Sequence, residues 1–258
     1  RPNIDEANSV TSATLREYGG SQHKKFIIMP YANDPLLVSW AKDLAENYAS
    51  ALILIGGEIW TKNWRTTPLG SIDLRRILRV DMGIDLADYP LVKTRFNLSG
   101  KRKYLYIGHT AWYKNTKELE NIASQIPNFQ GGHIGGGEVK GWKKLANFAT
   151  LTPAFMSKLA KEYDIFVNVS TADAQATTIL EQMCFGLAVA CTAESGYDYS
   201  SLIKLSTYNT KENGRVLREL QILDEKELLT YAKQNRVVAE EKHSWEKFCH
   251  RIMDFIGD

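Results

Sequence analysis

Between Asp164 and Tyr197 the chain reads DIFVNVSTADAQATTILEQMCFGLAVACTAESGY, and its candidate chemistry sits where a strand gives way to a helix. Ser170 to Gln175 are small and polar, which makes a loop. From about Ala176 the apolar residues Ile179, Leu180, Met183 and Cys184 fall at helical spacing. A helix start exposes backbone N–H groups that favour anions, and here those of Thr177 and Thr178 are crowded by no bulky side chain. Glu181 lies one turn beyond Thr177 on the same face, roughly opposite the apolar stripe. Read alone, it is a solvated glutamate on an amphipathic helix. Read with the helix start, it is a carboxylate within reach of a bound ligand.

The elements that would hold these residues are strands on either side. Asp164 to Val169 is β-branched and aromatic, short enough for a buried parallel strand, and Leu187 to Cys191 is a second one. Gly186 closes the helix where a positive φ is wanted, and Ser195-Gly196 makes a turn. Strand, loop, helix and strand in this order make the ligand-binding corner of a doubly wound sheet.

Composition narrows the rest. The 258 residues are 44% hydrophobic and 24% charged, with a net charge of +2, so nothing in the bulk electrostatics asks for nucleic acid. Cys184, Cys191 and Cys249 are too widely spaced for a CxxC metal or redox site, and an odd number of thiols fits a reducing cytosol. Apolar runs such as Ala51 to Gly56 are too short to span a bilayer. No signal peptide is visible, and a start at Arg1 reads as a trimmed chain or a fragment.

Ahead of that corner, a helix is expected near Val10 to Glu17, a strand at Lys25 to Met29, a helix from Asp34-Pro35 and a strand at Ala51 to Ile55. Trp60 to Leu69 reads as irregular, and Ile77 to Val80 as a short strand leading into Met82-Gly83-Ile84-Asp85. After a polar break at Ser99 to Arg102 come a strand at Lys103 to Ile107, its loop Gly108 to Asn115, and a helix at Lys117 to Ile126. Gly131 to Gly137 is rich in glycine but is neither a P-loop nor a GxGxxG fingerprint, and His133 belongs on a strand. Val139 to Phe148 mixes Lys140, Lys143 and Lys144 with aromatics and reads as a solvated helix face, the alternative being contact with anionic lipid. A helix over Ala154 to Tyr163 follows Pro153. A strand at Leu202 to Leu205 precedes helices at Asn213 to Leu220 and Glu225 to Glu240. The last helix opens at His243-Ser244-Trp245, with Ser244 as its cap and Trp245, Phe248, Ile252 and Phe255 as its stripe.

The central stretch resembles the signature of the retaining family-4 glycosyltransferases, which have the GT-B fold. That family carries two acidic residues separated by seven others, followed by a run of the form EAMACGLPVV. Here LEQMCFGLAVACT supplies the second acid, Glu181, and Asp173 stands eight positions before it in place of the usual glutamate. Ala174, Gln175 and Ala176 replace the glycines and phenylalanine that often follow the first acid. The loop GHTAWYKN resembles the family's "GR…KN": Lys114 and Asn115 match the lysine and its successor, Gly108 matches the glycine, and His109 stands where the arginine belongs. A neutral histidine donates one hydrogen bond where arginine offers a charged fork. Met82 to Asp85 resembles the family's "NGID" turn, Gly131 to Gly137 its "IVGDGP" turn, and Ser244-Trp245 its final "SW" helix. The resemblance covers roughly residues 78–258 and is densest at 103–116 and 164–197.

What it implies is a GT-B-like, Rossmann-like doubly wound parallel α/β sheet with an incomplete first domain. Residues 1–95 would be the remainder of an acceptor-side domain and linker, 96–240 the donor domain, and 241–258 a helix packing back toward the first. The implied activity is transfer of a hexosyl unit from a nucleotide-diphosphate sugar to a glycan or lipid-linked acceptor, with retention at the anomeric carbon. Glu181 would bind the ribose and Asp173 the sugar. Lys114, with the helix start at Ala176, Thr177 and Thr178, would offset charge on the diphosphate. Gly108, His109, Asn115, Ala174 and Gln175 would line the donor site, and Thr150 and Leu151 would border the nucleobase. No D-x-D pair occurs in the chain, so no metal site and no cofactor beyond the donor itself is expected. The expected location is the cytoplasm, with at most peripheral contact with the inner face of the membrane. Two alternatives stand beside this: a nucleotide-sugar-binding domain that has lost transfer, and a sugar-nucleotide epimerase of the same architecture.

Overall fold

The computed structural model describes residues 24–62, 64–148 and 151–257. The helix expected at Val10 to Glu17 and Thr150, expected to border the nucleobase, lie outside them. The described residues form two parallel sheets, each flanked by helices, which is the GT-B-like doubly wound arrangement. The first is small: β1 (Phe26–Pro30), β2 (Ala51–Ile55) and β3 (Ile77–Val80) pair in the order β1-β2-β3. Its middle strand, ALILI, is apolar throughout because both of its faces are covered. Helix α1 (Pro35–Asn47) crosses from β1 to β2, capped by the Asp34 carboxylate, which accepts from Leu36 N at 2.9 Å. A single helical turn, α2 (Glu58–Thr61), follows β2.

The second sheet has six parallel strands: β4 (Tyr104–Ile107), β5 (Gly131–Ile134), β6 (Lys143–Ala146), β7 (Ile165–Asn168), β8 (Ala188–Thr192) and β9 (Ile203–Leu205). Their spatial order is β6-β5-β4-β7-β8-β9. The chain winds outward from β4 in one direction, then returns and winds outward from β7 in the other. The loops after β4 and β7 therefore part company at the centre of the sheet, and that crevice is where an open α/β sheet binds its ligand.

The connecting helices are α3 (Thr116–Gln125), α4 (Pro153–Glu162), α5 (Thr177–Phe185), α6 (Thr210–Ile222) and α7 (Glu225–Lys242). One face of the sheet is covered by Met156 and Leu159 of α4 and by Ile179, Leu180, Met183 and Cys184 of α5. The other is covered by Leu119 and Ile122 of α3 with Leu217 and Leu220 of α6. Gly186 ends α5 at φ 90°, the left-handed conformation the sequence pattern asked for.

Two expectations need correction. Residues 139–147 hold no helix: Lys143–Ala146 form β6, an edge strand beside β5. The lysines stay outward, which an edge tolerates, and Lys144 donates to the carbonyls of Gly135 and Gly137. Helix α6 begins at Thr210, three residues ahead of the expected start, because the Asn209 side chain accepts from Glu212 N at 3.1 Å.

Residues 81–95 join the sheets, and the last helix, α8 (Trp245–Gly257), crosses back over β3. Phe248 and, less deeply, Ile252 and Phe255 of α8 pack on Ile53 and Val80. At the joint, the buried His243 ring donates from Nδ1 to Met82 O at 2.8 Å and accepts from Tyr199 Oη at 2.8 Å. Among the described residues, no helix is long and apolar enough to cross a membrane.

Candidate functional site

The loop leaving β4 builds the first wall of the crevice. His109 folds back on its own loop: Nδ1 accepts from Ala111 N at 3.2 Å, which puts the ring proton on Nε2, facing Tyr113 Oη at 3.1 Å. Tyr106 Oη donates to the His109 carbonyl at 2.9 Å. Burial, together with the Lys114 cation and against the pull of Asp173, holds the His109 pKa below its ordinary value. The ring is thus neutral at physiological pH. Lys114 ends a short 3-10 turn, its ammonium 5.2 Å from the centre of the Tyr113 ring. Asn115 then adopts φ 51°, a left-handed turn that asparagine tolerates, and starts α3. His133 sits on β5 as a packing residue, stacked on Tyr106 and donating to Gly108 O at 3.0 Å.

The loop leaving β7 builds the opposite wall. Thr171 N donates to Tyr113 O at 2.7 Å and so ties the two loops together. The Asp173 carboxylate accepts from Lys114 and, at 3.3 Å, from Ser170 Oγ. The pair keeps some access to solvent, with side chains 12% and 15% exposed for Lys114 and Asp173. Ala174 contributes only backbone. Gln175 turns away from the crevice into the joint, where Nε2 donates to Asp81 Oδ1 at 2.8 Å and Oε1 accepts from Met82 N at 2.6 Å. Ala176 stands at the N-cap of α5 and, like Thr177 and Thr178 behind it, leaves the helix start without a side-chain cap.

Glu181 follows one turn along α5, but it is not out in water. Residues 83–89 fold over this face of the helix, and a cleft of about 430 Å³ remains, lined by Asp85, Asp88, Tyr89, Thr177, Glu181 and Trp245 among others. Burial pushes the Glu181 carboxyl up to about 7. The nearby carboxylate helps burial raise Tyr89 to about 12. Leu151 packs on the core beneath α5.

The crevice therefore brings Lys114, Asp173, Ser170 and Thr171 together at the switch point, while Glu181 and Thr177 face the adjoining cleft. Tyr113, Ser170, Asp85, Tyr89, Trp245 and Trp60, whose indole donates to Asp173 O at 2.6 Å, were not anticipated. Most of these contacts join residues far apart in sequence, and no spacing rule signals them. Among the described residues no group of three His, Cys, Asp or Glu side chains could hold a metal ion.

No protein-family model matches this sequence, and no curated protein matches it either. Solved structures do match its fold. Sucrose-phosphate synthase from Thermosynechococcus elongatus superposes with a TM-score of 0.77 at 13% identity, over 94% of this chain and 69% of that one. TarM gives 0.71 at 13% identity, over 95% of this chain and 53% of that one. A glycosyltransferase from Rickettsia africae ESF-5 gives 0.67 at 11% identity, over 98% and 81%. The chain spans about half the length of TarM. At these identities the likeness establishes the fold alone, a GT-B-like doubly wound one.

Proposed function

We propose that this chain is the donor-binding part of a glycosyltransferase that takes a sugar from a nucleotide diphosphate. The carrying observation is the meeting of Lys114 and Asp173 where the loops after β4 and β7 diverge, beside an uncapped helix start. An ammonium and a helix N-terminus on one side of a crevice suit a diphosphate leaving group, whose negative charge grows as the glycosidic bond breaks. A carboxylate next to them suits hydroxyls of the sugar being moved. Glu181, on the next turn of α5, suits a ribose, and its ionised form is the better acceptor. Transfer with retention, a hexosyl donor, a glycan or lipid-linked acceptor and independence from metal complete the reading, as the family resemblance implies.

A mutant of S. aureus TarM has been crystallised with fondaparinux, α-GlcNAc-glycerol and UDP, and the pneumococcal O-GlcNAc transferase GtfA with UDP and GlcNAc. UDP is therefore the first nucleotide to try. Titration calorimetry of the chain with UDP, GDP and ADP and their sugar conjugates is expected to single out one base, with both the diphosphate and its conjugate bound. Binding of none would overturn the reading. A second reading, a nucleotide-sugar-binding domain without transfer, draws support from His109, whose ring is engaged by Ala111 and Tyr113 and supplies no charged fork. Sugar release from a bound donor, followed by NMR of the anomeric proton, separates the two.

A further inference from the structure

The loop that carries Asp173 is tied down from two directions. From its own sheet, Asp173 N donates to Glu194 O at 2.9 Å and Ala176 N to Ser195 O at 3.1 Å. From the other sheet, Trp60 Nε1 donates to Asp173 O at 2.6 Å and Gly57 N to Ala174 O at 2.9 Å. The N–H groups of the loop are thus held by the six-stranded sheet, and two of its carbonyls by the three-stranded one. Trp60 is only 9% exposed and belongs to the small sheet's own core, with Leu52, Leu54 and Leu69. That core, and not the loop, sets where its indole points. Gly57 lies so close to the Gly196 backbone that a Cβ would overlap it, so any larger residue forces the two sheets apart.

We infer that Trp60 and Gly57 are positioning residues for Asp173, through which docking of the three-stranded sheet aims this carboxylate. Fixing the carbonyls of residues 173 and 174 fixes the peptide planes on both sides of Ala174 and, with them, the direction in which the Asp173 side chain leaves the chain. Lys114 and the start of α5 belong to the six-stranded sheet and need no such help. Contacts to the diphosphate therefore survive loosening of the joint, and contacts to the sugar do not. The identity of the ligand rests on the proposed function; the mechanical link between the sheets does not.

The test uses Trp60→Phe, which keeps the ring and deletes the donor, and Gly57→Ala, which opens the contact from the backbone side. Amide hydrogen exchange over residues 173–176 is read alongside affinity for UDP and for UDP-N-acetylglucosamine. Either variant is expected to speed exchange in that loop while leaving β7 protected. Each should weaken the sugar nucleotide about five- to tenfold, the worth of one neutral hydrogen bond, with UDP unchanged. Unchanged exchange in both variants would overturn the inference, as would equal losses for UDP and its sugar conjugate, which mark a merely structural role. Faster exchange in a chain whose wild type binds neither probe would sink the proposed function and leave the positioning intact. Should Trp60→Phe fail to fold, Gly57→Ala carries every arm.

Discussion

Two lysine–aspartate pairs stand at opposite ends of β7, and they are built differently. At the entrance to the strand, Lys93 and Asp164 meet at 2.9 Å with their side chains 1% and 0% exposed. Asp164 also accepts from Asn97 N at 2.9 Å, Asn97 Nδ2 at 2.7 Å and Lys103 N at 2.8 Å, so both carboxylate oxygens are satisfied. Beyond the exit, Asp173 has Lys114 and a long contact to Ser170 Oγ, in partial reach of solvent. The first pair clamps the connecting segment onto the large sheet. The second leaves lone pairs and N–H donors free to change partners, which a binding group must do. Burial and the number of partners, more than the ion pair itself, separate the clamp from the site.

The comparison can be broken at its strong end. Asp164→Ala strands a buried ammonium and is expected to cost about 3–5 kcal/mol of stability, read as a lowered urea midpoint. A cost near that of a surface pair would erase the distinction. Glu181, a third carboxylate with no ion pair among the described residues, sharpens the contrast. Glu181→Ala should weaken nucleoside diphosphate and sugar nucleotide alike, by about 1.5–3 kcal/mol, measured by calorimetry. With its pKa raised to about 7, Glu181 should make wild-type diphosphate binding tighten by roughly tenfold between about pH 6 and 8. Glu181→Gln should flatten that profile. The folded state holds this proton more tightly than the unfolded chain. Its stabilising contribution is therefore complete at low pH and is lost as pH rises through about 7, a loss Glu181→Gln also removes.

Asp173→Ala comes next. It should cost no more than about 1 kcal/mol of stability and weaken the sugar nucleotide, while sparing or tightening the diphosphate by releasing Lys114. Equal losses for both ligands would misplace the sugar pocket. The smallest effect belongs to His109→Arg, expected to tighten diphosphate binding severalfold by adding a charged fork. Because His109 is already neutral at pH 7, the gain should be the same at pH 7 and pH 8.

The strands and helices of the large sheet were legible because its strands are short, apolar and punctuated, and because each helix carries a 3.6-residue stripe or a cap. Lys143–Ala146 misled: an edge strand need not be apolar, so its lysines looked like a solvated helix. The placement of Lys114 and Asp173 was legible too, since each lies in a loop that follows a strand. Their direct contact was not, because it depends on β4 and β7 being neighbours, a fact of topology. Glu181 looked solvated because nothing in the helix itself announces that residues 83–89 will fold over it. The Lys93–Asp164 clamp and the reach of Trp60 to Asp173 are invisible in the sequence for the same reason.

The crossing of α8 over β3 sets an order of events during synthesis. Residues 26–80 leave the ribosome before α8, and the apolar face made by Ile53 and Val80 is closed by Phe248, 168 residues beyond Val80. At roughly 5–20 residues per second, that face waits about 8–30 s for its cover. The small sheet thus keeps one apolar face uncovered while the large sheet is made, although it holds neither Lys114 nor Asp173. Loss of α8 would leave Lys114 and Asp173 in place, remove Trp245 from the cleft around Glu181, and uncover the apolar face of Ile53 and Val80.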